Sequence, residues 1–197
     1  MPGVNIHAVR EAGFTLIEMM VTIVLFSILV MLGMPSFQTW VSNTKVRTVA
    51  DSLQNGLRFA QAEAVRRSRS TVFSLTNSTA PEVSLKAAQN GSNWSINVSK
   101  SNLDAASVFV QSGVISDVGS GVTITGPAAV CFNSMGRLIA NTDTGVDSAT
   151  CDTATAPTYE INITGADRRL KVLVALGGQV RMCDPARNLA DYPDGCP

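Results

Sequence analysis

The chain has 197 residues, enough for one domain of ordinary size together with a membrane anchor. Fifteen Lys and Arg balance fifteen Asp and Glu, so no global charge attracts the protein to nucleic acid or to an acidic partner. The only histidine, His7, lies ahead of the first apolar run, so a processed form would have no imidazole for general-base or triad chemistry.

The chain begins with a short polar leader, residues 1–13, followed by an apolar run. Residues 14–34 carry a single charge, Glu18, and about 20 apolar residues in a helix cross a bilayer core. A carboxylate in such a helix costs about 2.5–3.5 kcal/mol at the bilayer centre, so its presence predicts a partner. Cleavage after Gly13 would supply one, a positive α-amine on Phe14, four residues from Glu18.

Two simpler interpretations of the run are a plain anchor and a secretory signal peptide. An anchor tolerates one Glu near its end. A signal peptide has a shorter apolar core, about 7–15 residues, and ends at a small-residue cleavage site. The run here is longer and continues into a helical pattern, which disfavours the signal peptide.

Helical periodicity extends to residue 67 and predicts one long helix over residues 15–67. Gly33 and Pro35 predict a helix break or kink, because proline removes a backbone donor. Two helices separated near Pro35 are the alternative. Beyond Pro35 an apolar stripe should pack on a sheet. Its residues are Phe37, Trp40, Val41, Val46, Val49, Ala50, Leu53, Leu57, Ala60 and Ala64.

Short alternating segments after residue 69 predict β-strands. They cover residues 70–75, 94–98, 107–111, 122–125, 130–132 and 159–163. The clearest hairpin joins residues 168–176 to 179–182 through Gly177-Gly178, which supplies the positive φ values of a tight turn. Residues 81–93 and 141–157 are predicted surface loops.

These elements predict an α+β fold in which a long N-terminal transmembrane and amphipathic helix packs on a C-terminal antiparallel β-sheet domain. The predicted boundaries are a leader at 1–13, the transmembrane half of the helix at 14–35, its amphipathic half at 36–69 and a β-rich head at 70–197.

Four cysteines, all beyond the apolar run, predict two disulfides in a translocated domain. Sequence allows three pairings. We favour Cys131–Cys151 and Cys183–Cys196 because each closes a loop rich in Gly, Asp, Asn or Pro that has no core of its own. Spacings of 19, 31 and 12 intervening residues contain no close Cys pair, so a zinc site is disfavoured.

No pattern in the sequence indicates catalysis or a cofactor. It has no phosphate-binding glycine loop and no His/Cys set at metal spacing. Asp184, Asp191 and Asp194 form an acidic group that resembles a cation site, although such residues commonly begin turns. We therefore predict a protein that is not an enzyme and holds no metal.

Two groups of basic residues stand out. The first, at the end of the long helix, comprises Arg58, Arg66, Arg67 and Arg69. The second, around the C-terminal hairpin, comprises Arg168, Arg169, Lys171, Arg181 and Arg187. Scattered Arg commonly forms a solvated surface. The alternative is a stripe of phosphate contacts for DNA, whose affinity would depend strongly on salt.

The string Gly13-Phe14-Thr15-Leu16-Ile17-Glu18 resembles the processing site of type IV pilins and type II secretion pseudopilins. The resemblance implies the type IV pilin fold, cleavage between Gly13 and Phe14 by a prepilin peptidase, and N-methylation of Phe14. It also implies that Glu18 pairs with the N-terminus of a neighbouring subunit during assembly. The implied partners are other major and minor pilins and an inner-membrane assembly platform.

The segment from Gly178 to Pro185 resembles the tail of the GspH/FimT/FimU group of minor pilins and pseudopilins. FimT-like members carry a Gly-Arg-x-Arg tail that binds DNA. This chain keeps the glycine and the second arginine, Arg181, but has Gln179 in place of the first. The candidate DNA contacts are Arg169, Lys171, Arg181 and Arg187.

Taken together, the resemblance implies a minor pilin that initiates or joins type IV pilus assembly in a tip complex serving twitching motility, adhesion or DNA uptake. The helix would cross the inner membrane once, with the C-terminal domain in the periplasm. The alternatives are a FimT-like DNA-binding competence pilin and a GspH-like minor pseudopilin of type II secretion.

Overall fold

The computed structural model describes residues 13–101 and 106–197. The chain divides into two compact units, one ending at Gln38 and the other spanning Thr39–Pro197. The prediction of one long helix is confirmed: helix α1 covers Leu16–Arg67. At its start the Thr15 hydroxyl accepts a hydrogen bond from the Glu18 amide at 3.3 Å, as an N-cap residue does.

Helical backbone continues through Gly33 and Pro35, so the predicted break there is wrong, whereas the kink stays a prediction. Proline removes one backbone donor, but the hydrogen bonds of the neighbouring turns remain, and apolar membrane helices tolerate proline for this reason. The interpretation as two separate helices is therefore excluded.

Four strands form the first sheet. They are β1 (Thr71–Thr76), β2 (Asn93–Val98), β3 (Val108–Gly113) and, later in the chain, β5 (Ala129–Phe132). The order is β3-β2-β1-β5 and every pair is antiparallel. Strand β1 lies inside the sheet and is buried along its whole length, because both of its faces are covered.

Five strands form the second sheet in the order β4-β6-β7-β8-β9. They are β4 (Thr123–Thr125), β6 (Thr158–Asn162), β7 (Leu170–Val174), β8 (Val180–Asn188) and β9 (Gly195–Cys196). The predicted α+β fold, a long helix packed on an antiparallel β-sheet domain, is thus confirmed, and the described strands of the domain form two sheets. The β8–β9 pair is parallel, so the sheet is not purely antiparallel.

The main core joins the helix to both sheets. Leu53 and Leu57 of α1 pack with Phe73 of the first sheet and Tyr159 of the second in one buried cluster. The rings of Phe73 and Tyr159 meet edge to face, with centroids 6.2 Å apart. Gly56 of α1 permits the close approach of the helix to Phe73, because a Cβ at position 56 would lie only 3.0 Å from the Phe73 ring.

The predicted stripe is buried only from Val46 onward. Trp40 is largely exposed although it keeps the helical spacing. Periodicity identifies the face of a helix but not how far along that face a sheet extends. The stripe also includes a buried residue that the apolar pattern omits, Glu63.

The two predicted surface loops are partly buried, which corrects the sequence interpretation. Val146 and Ala149 of the second loop and Ala87 of the first pack on Val72, on the outer face of the first sheet. The buried Thr144 hydroxyl donates to the Ala149 carbonyl at 3.0 Å and holds the second loop in shape.

The β7–β8 hairpin forms, but its turn is longer than the predicted two-residue Gly-Gly turn. The Ala175 amide donates to the Gln179 carbonyl at 2.9 Å, which leaves three residues in the loop. Only Gly178 has a positive φ, +95°. Three-residue loops of this kind need one left-handed residue, whereas the two-residue type I′ turn needs two.

Candidate functional site

The first candidate region is the N-terminal part of α1. It is apolar all round, and its large side chains from Phe14 to Met34 are exposed, with Phe14 at 76%. By length and composition this helix can cross a membrane. The hydroxyls of Thr22 and Ser27 donate back to helix carbonyls at 2.9 and 2.7 Å, so they bring no unpaired donor into an apolar environment.

Glu18 is the only charged side chain in this region, and it lies in the first turn of the helix. A carboxylate there interacts favourably with the positive end of the helix dipole. Phe14 lies four residues earlier, just outside the helix, beside the proposed cleavage position at Gly13. Among the described residues, no atom beyond the chain neighbours of Gly13 comes within 4 Å of a Cβ built at this position.

The second candidate region is the basic group around the C-terminal hairpin. Arg169, just before β7, and Lys171, within it, share a single carboxylate, Glu160, at 3.3 and 3.4 Å. Arg168 has a different partner and donates from two nitrogens to the buried carboxylate of Asp184, at 2.8 and 3.1 Å.

The remaining two arginines of this group also have partners. Arg181 donates from Nη2 to the carbonyls of Pro193 and Gly195, each at 2.9 Å. Arg187 binds Asp194 at 2.8 Å, and this contact lowers the pKa of the Asp194 carboxyl. The guanidinium of Arg187 also lies 5.2 Å from the ring centroid of Tyr192, within cation–π range.

The three aspartates that resembled a cation site, Asp184, Asp191 and Asp194, do not share one site in the structure. Asp184 and Asp194 both accept from guanidinium groups, while Asp191 lies in an exposed turn. Within residues 13–101 and 106–197, no three His, Cys, Asp or Glu side chains are grouped as metal ligands are. The carboxylates here hold the C-terminal loop in place.

Two disulfides close the two loops of the head. Cys131 is bonded to Cys151, and Cys183 to Cys196, which are the pairs that local loop closure favours. The first bond attaches the loop that covers the outer face of the first sheet. The second joins β8 to β9 and fixes the C-terminus of the chain.

Sequence reasoning missed a groove beside the C-terminal disulfide. Its volume is about 340 Å³. Helix α1 supplies one wall, and strands β7 and β8 with the C-terminal loop supply the other. The lining residues are Trp40, Asn43, Thr44, Val46, Arg47, Arg168, Leu170, Met182, Cys183, Asp184 and Asp194. Trp40, an aromatic residue at helical spacing, was the feature of the sequence that could have indicated this groove.

Sequence reasoning also missed a charge cluster at the end of α1. The buried Glu63 carboxylate accepts from Arg66 and Arg67 at 2.7 Å. Hydrogen bonds from these two guanidiniums, first Arg66 and then Arg67, lower the pKa of Glu63 to about 2. Arg66 and Arg67 follow Glu63 by three and four residues in a helix, and this spacing could have indicated the ion pairs.

Two family models match the chain. Residues 9–34 match the model described as the prokaryotic N-terminal methylation motif. Residues 49–178, more than half of the chain, match the model described as type II transport protein GspH. No curated protein sequence gave a match.

Three solved structures are similar to this chain at low sequence identity. The type IV minor pilin FimU of Pseudomonas aeruginosa strain PAO1 aligns over 75% of this chain and 95% of its own, with 17% identity and a TM-score of 0.50. The minor pseudopilin EpsH of the Vibrio cholerae type 2 secretion system aligns over 73% of this chain and 99% of its own, with 12% identity and a TM-score of 0.48. The solution structure of Escherichia coli GspH aligns over 73% of this chain and 91% of its own, with 14% identity and a TM-score of 0.44.

Proposed function

The chain belongs to the family of the type II transport protein GspH, and on this premise we propose that it is a minor pilin that initiates or joins assembly of a type IV pilus. Pilins and pseudopilins are structural proteins, so the prediction that the chain is not an enzyme stands on family membership.

One observation carries the proposal. The first part of α1 exposes apolar side chains on every side, and its single carboxylate, Glu18, lies in the first turn. Such a surface is stable in lipid or in a bundle of similar helices, and not in water. In a bundle, the positive amine of a neighbouring subunit would compensate the Glu18 charge.

This mechanism requires processing before assembly. A prepilin peptidase cuts between Gly13 and Phe14 and methylates the new amine on the cytoplasmic side. The helix then crosses the inner membrane once, and the head lies in the periplasm, where the two disulfides are stable. An inner-membrane platform moves the subunit from lipid into a filament that contains the other pilins, and this chain takes a place in the tip complex.

The second candidate function is that of a minor pseudopilin in type II secretion. The match to the type II transport protein GspH model favours it. Both functions use the same anchor and the same kind of head, so genetics is needed to separate them. Deleting the gene and measuring piliation and protein secretion in one strain is the test. Loss of pili with unchanged secretion supports the pilus, and loss of secretion with unchanged pili contradicts it.

Binding of DNA stays a prediction of the tail resemblance. Its candidate contacts Arg169, Lys171 and Arg187 are ion-paired, and Arg181 is held by backbone carbonyls. A phosphate would have to compete with these partners, which predicts weak binding.

A further inference from the structure

The end of helix α1 is joined to two turns that lie far from it in sequence. The Gln61 side chain donates to the carbonyl of Gly136 at 2.8 Å, in the turn at residues 133–137. The amide of Leu138, just after that turn, donates to the carbonyl of Leu176 in the β7–β8 hairpin loop at 3.2 Å. The helix end and both turns therefore form one continuous surface.

The turn at residues 133–137 is held rigid by its first residue. The Asn133 side-chain oxygen accepts from the amides of Met135 and Arg137 at 2.9 and 3.0 Å. Gly136 takes the left-handed conformation that the turn requires, with φ +73°. A side chain presented on such a turn loses little conformational freedom on binding, which favours affinity.

Three large apolar side chains are exposed on this surface. Met135 is 74% exposed, and Val65 and Leu176 are each 50% exposed. Val65 lies close to the turn, because a Cβ built at Gly136 would be 3.2 Å from its Cγ2 atom. Grouped exposed apolar side chains with a polar border are typical of protein–protein contacts, whereas single ones are common everywhere.

The border of this apolar group is basic. Arg137 is exposed, and Arg58 donates to the Val180 carbonyl at 3.1 Å. In the part of the chain that the structure describes, neither arginine has a carboxylate in an ion pair. The nearby carboxylate of Glu63 is already occupied by two other guanidiniums.

We propose that this apolar–basic surface, formed by Arg58, Val65, Met135, Arg137 and Leu176, docks the head of a second pilin-class subunit. The inference rests on the proposed function. The partner's matching surface has an apolar centre and an acidic border, because the carboxylates of Asp and Glu are the protein side chains that form ion pairs with arginine. The exposed apolar centre favours a protein over DNA, whose backbone needs cations and not methionine, valine and leucine.

The test uses the full-length chain in a strain that assembles pili. The photoreactive amino acid p-benzoylphenylalanine replaces Met135, and in a matched strain it replaces Val83, an 85% exposed apolar residue on another loop. Every subunit of that strain with a processing sequence like residues 13–18 carries its own tag. After irradiation we expect an adduct between position 135 and one tagged subunit, at least about tenfold stronger than from position 83.

Charge variants test the basic border. Arg137→Glu should lower the adduct yield by about tenfold, whereas Arg137→Lys should keep most of it. Equal yields from positions 135 and 83, an adduct with DNA or with a protein outside the pilin class, or an unchanged yield in Arg137→Glu would each overturn the inference.

The same strains distinguish this inference from the proposed function. If the chain is recovered in sheared pili and position 135 gives no subunit adduct, the surface is wrong and the pilin function stands. If the chain is absent from pili while the other pilins assemble normally, the proposed function fails, and the docking inference fails with it.

Discussion

The guanidinium of Arg181 donates a hydrogen bond of 2.9 Å to the carbonyl oxygen of Gly195. The same nitrogen donates to the Pro193 carbonyl, also at 2.9 Å. Gly195 precedes Cys196, which forms the disulfide to Cys183. Arg181 therefore joins strand β8 to the C-terminal loop, and this role explains its position without any ligand.

Replacing Arg181 with alanine should destabilise the head by about 1–3 kcal/mol, because two carbonyls lose a charged donor. Affinity for duplex DNA should not change. The measurements are urea unfolding of the full chain in detergent and fluorescence anisotropy with duplex DNA at low and physiological salt. Arg169→Ala is the control and should cost at most about 1 kcal/mol, because it removes an exposed ion pair. Salt-sensitive DNA binding that Arg181→Ala abolishes would instead support a DNA-uptake pilin.

Glu63 makes the stability of the head depend on pH. Hydrogen bonds from Arg66 and then Arg67 lower its folded-state pKa from 4.5 to about 2. A depressed folded-state pKa adds stability that is fully present above pH 4.5 and is lost as the pH falls toward 2. Glu63→Gln should flatten this part of the curve of unfolding free energy against pH. Glu82→Gln, at an exposed position, is the control and should leave the dependence of the unfolding free energy on pH unchanged. An unchanged curve in Glu63→Gln would contradict the account.

The hydroxyl of Tyr159 is buried and has no hydrogen-bond partner among the described residues. Burial raises the pKa of this phenol, so it stays neutral. Tyr159→Phe removes the unsatisfied group and keeps the ring that packs on Phe73, so the free energy of unfolding should rise by about 1 kcal/mol. Urea denaturation of the two full-length forms measures this. A loss of stability would show that the hydroxyl has a favourable partner.

Gly13→Ala should block processing and leave the fold intact. A methyl group at this position would meet no described residue, since none beyond the chain neighbours of Gly13 has an atom within 4 Å of a Cβ built there. The variant should therefore keep both disulfides and migrate as the longer precursor on a gel. A variant that still shows the small mass shift of cleavage would place the processing site elsewhere.

Local signals predicted the elements that depend on local sequence. Apolar content and periodicity placed the helix within one residue of its observed start, because each turn is specified by residues three or four positions away. Loop composition favoured the two observed disulfide pairs because each pair closes a loop between cysteines that are neighbours in the sequence.

Pairings between distant segments were not predictable in this way. Nothing local separates the strands into two sheets, and the parallel β8–β9 contact depends on the path of the loop closed by Cys183 and Cys196. The burial of Glu63 was missed because its charge is neutralised by two neighbours that a hydrophobic pattern does not register. The surface around Met135 was missed because its parts come from three separate segments of the chain.

Glu18 is the residue that links the apolar helix to filament assembly in the proposed function. The decisive measurement is recovery of the Glu18→Ala variant in the membrane fraction and in sheared pili, beside the wild-type chain and Glu82→Ala. We expect Glu18→Ala to be processed and membrane-bound but absent from pili, because its helix no longer attracts a neighbour's amine. Normal incorporation of Glu18→Ala into pili would contradict this expectation.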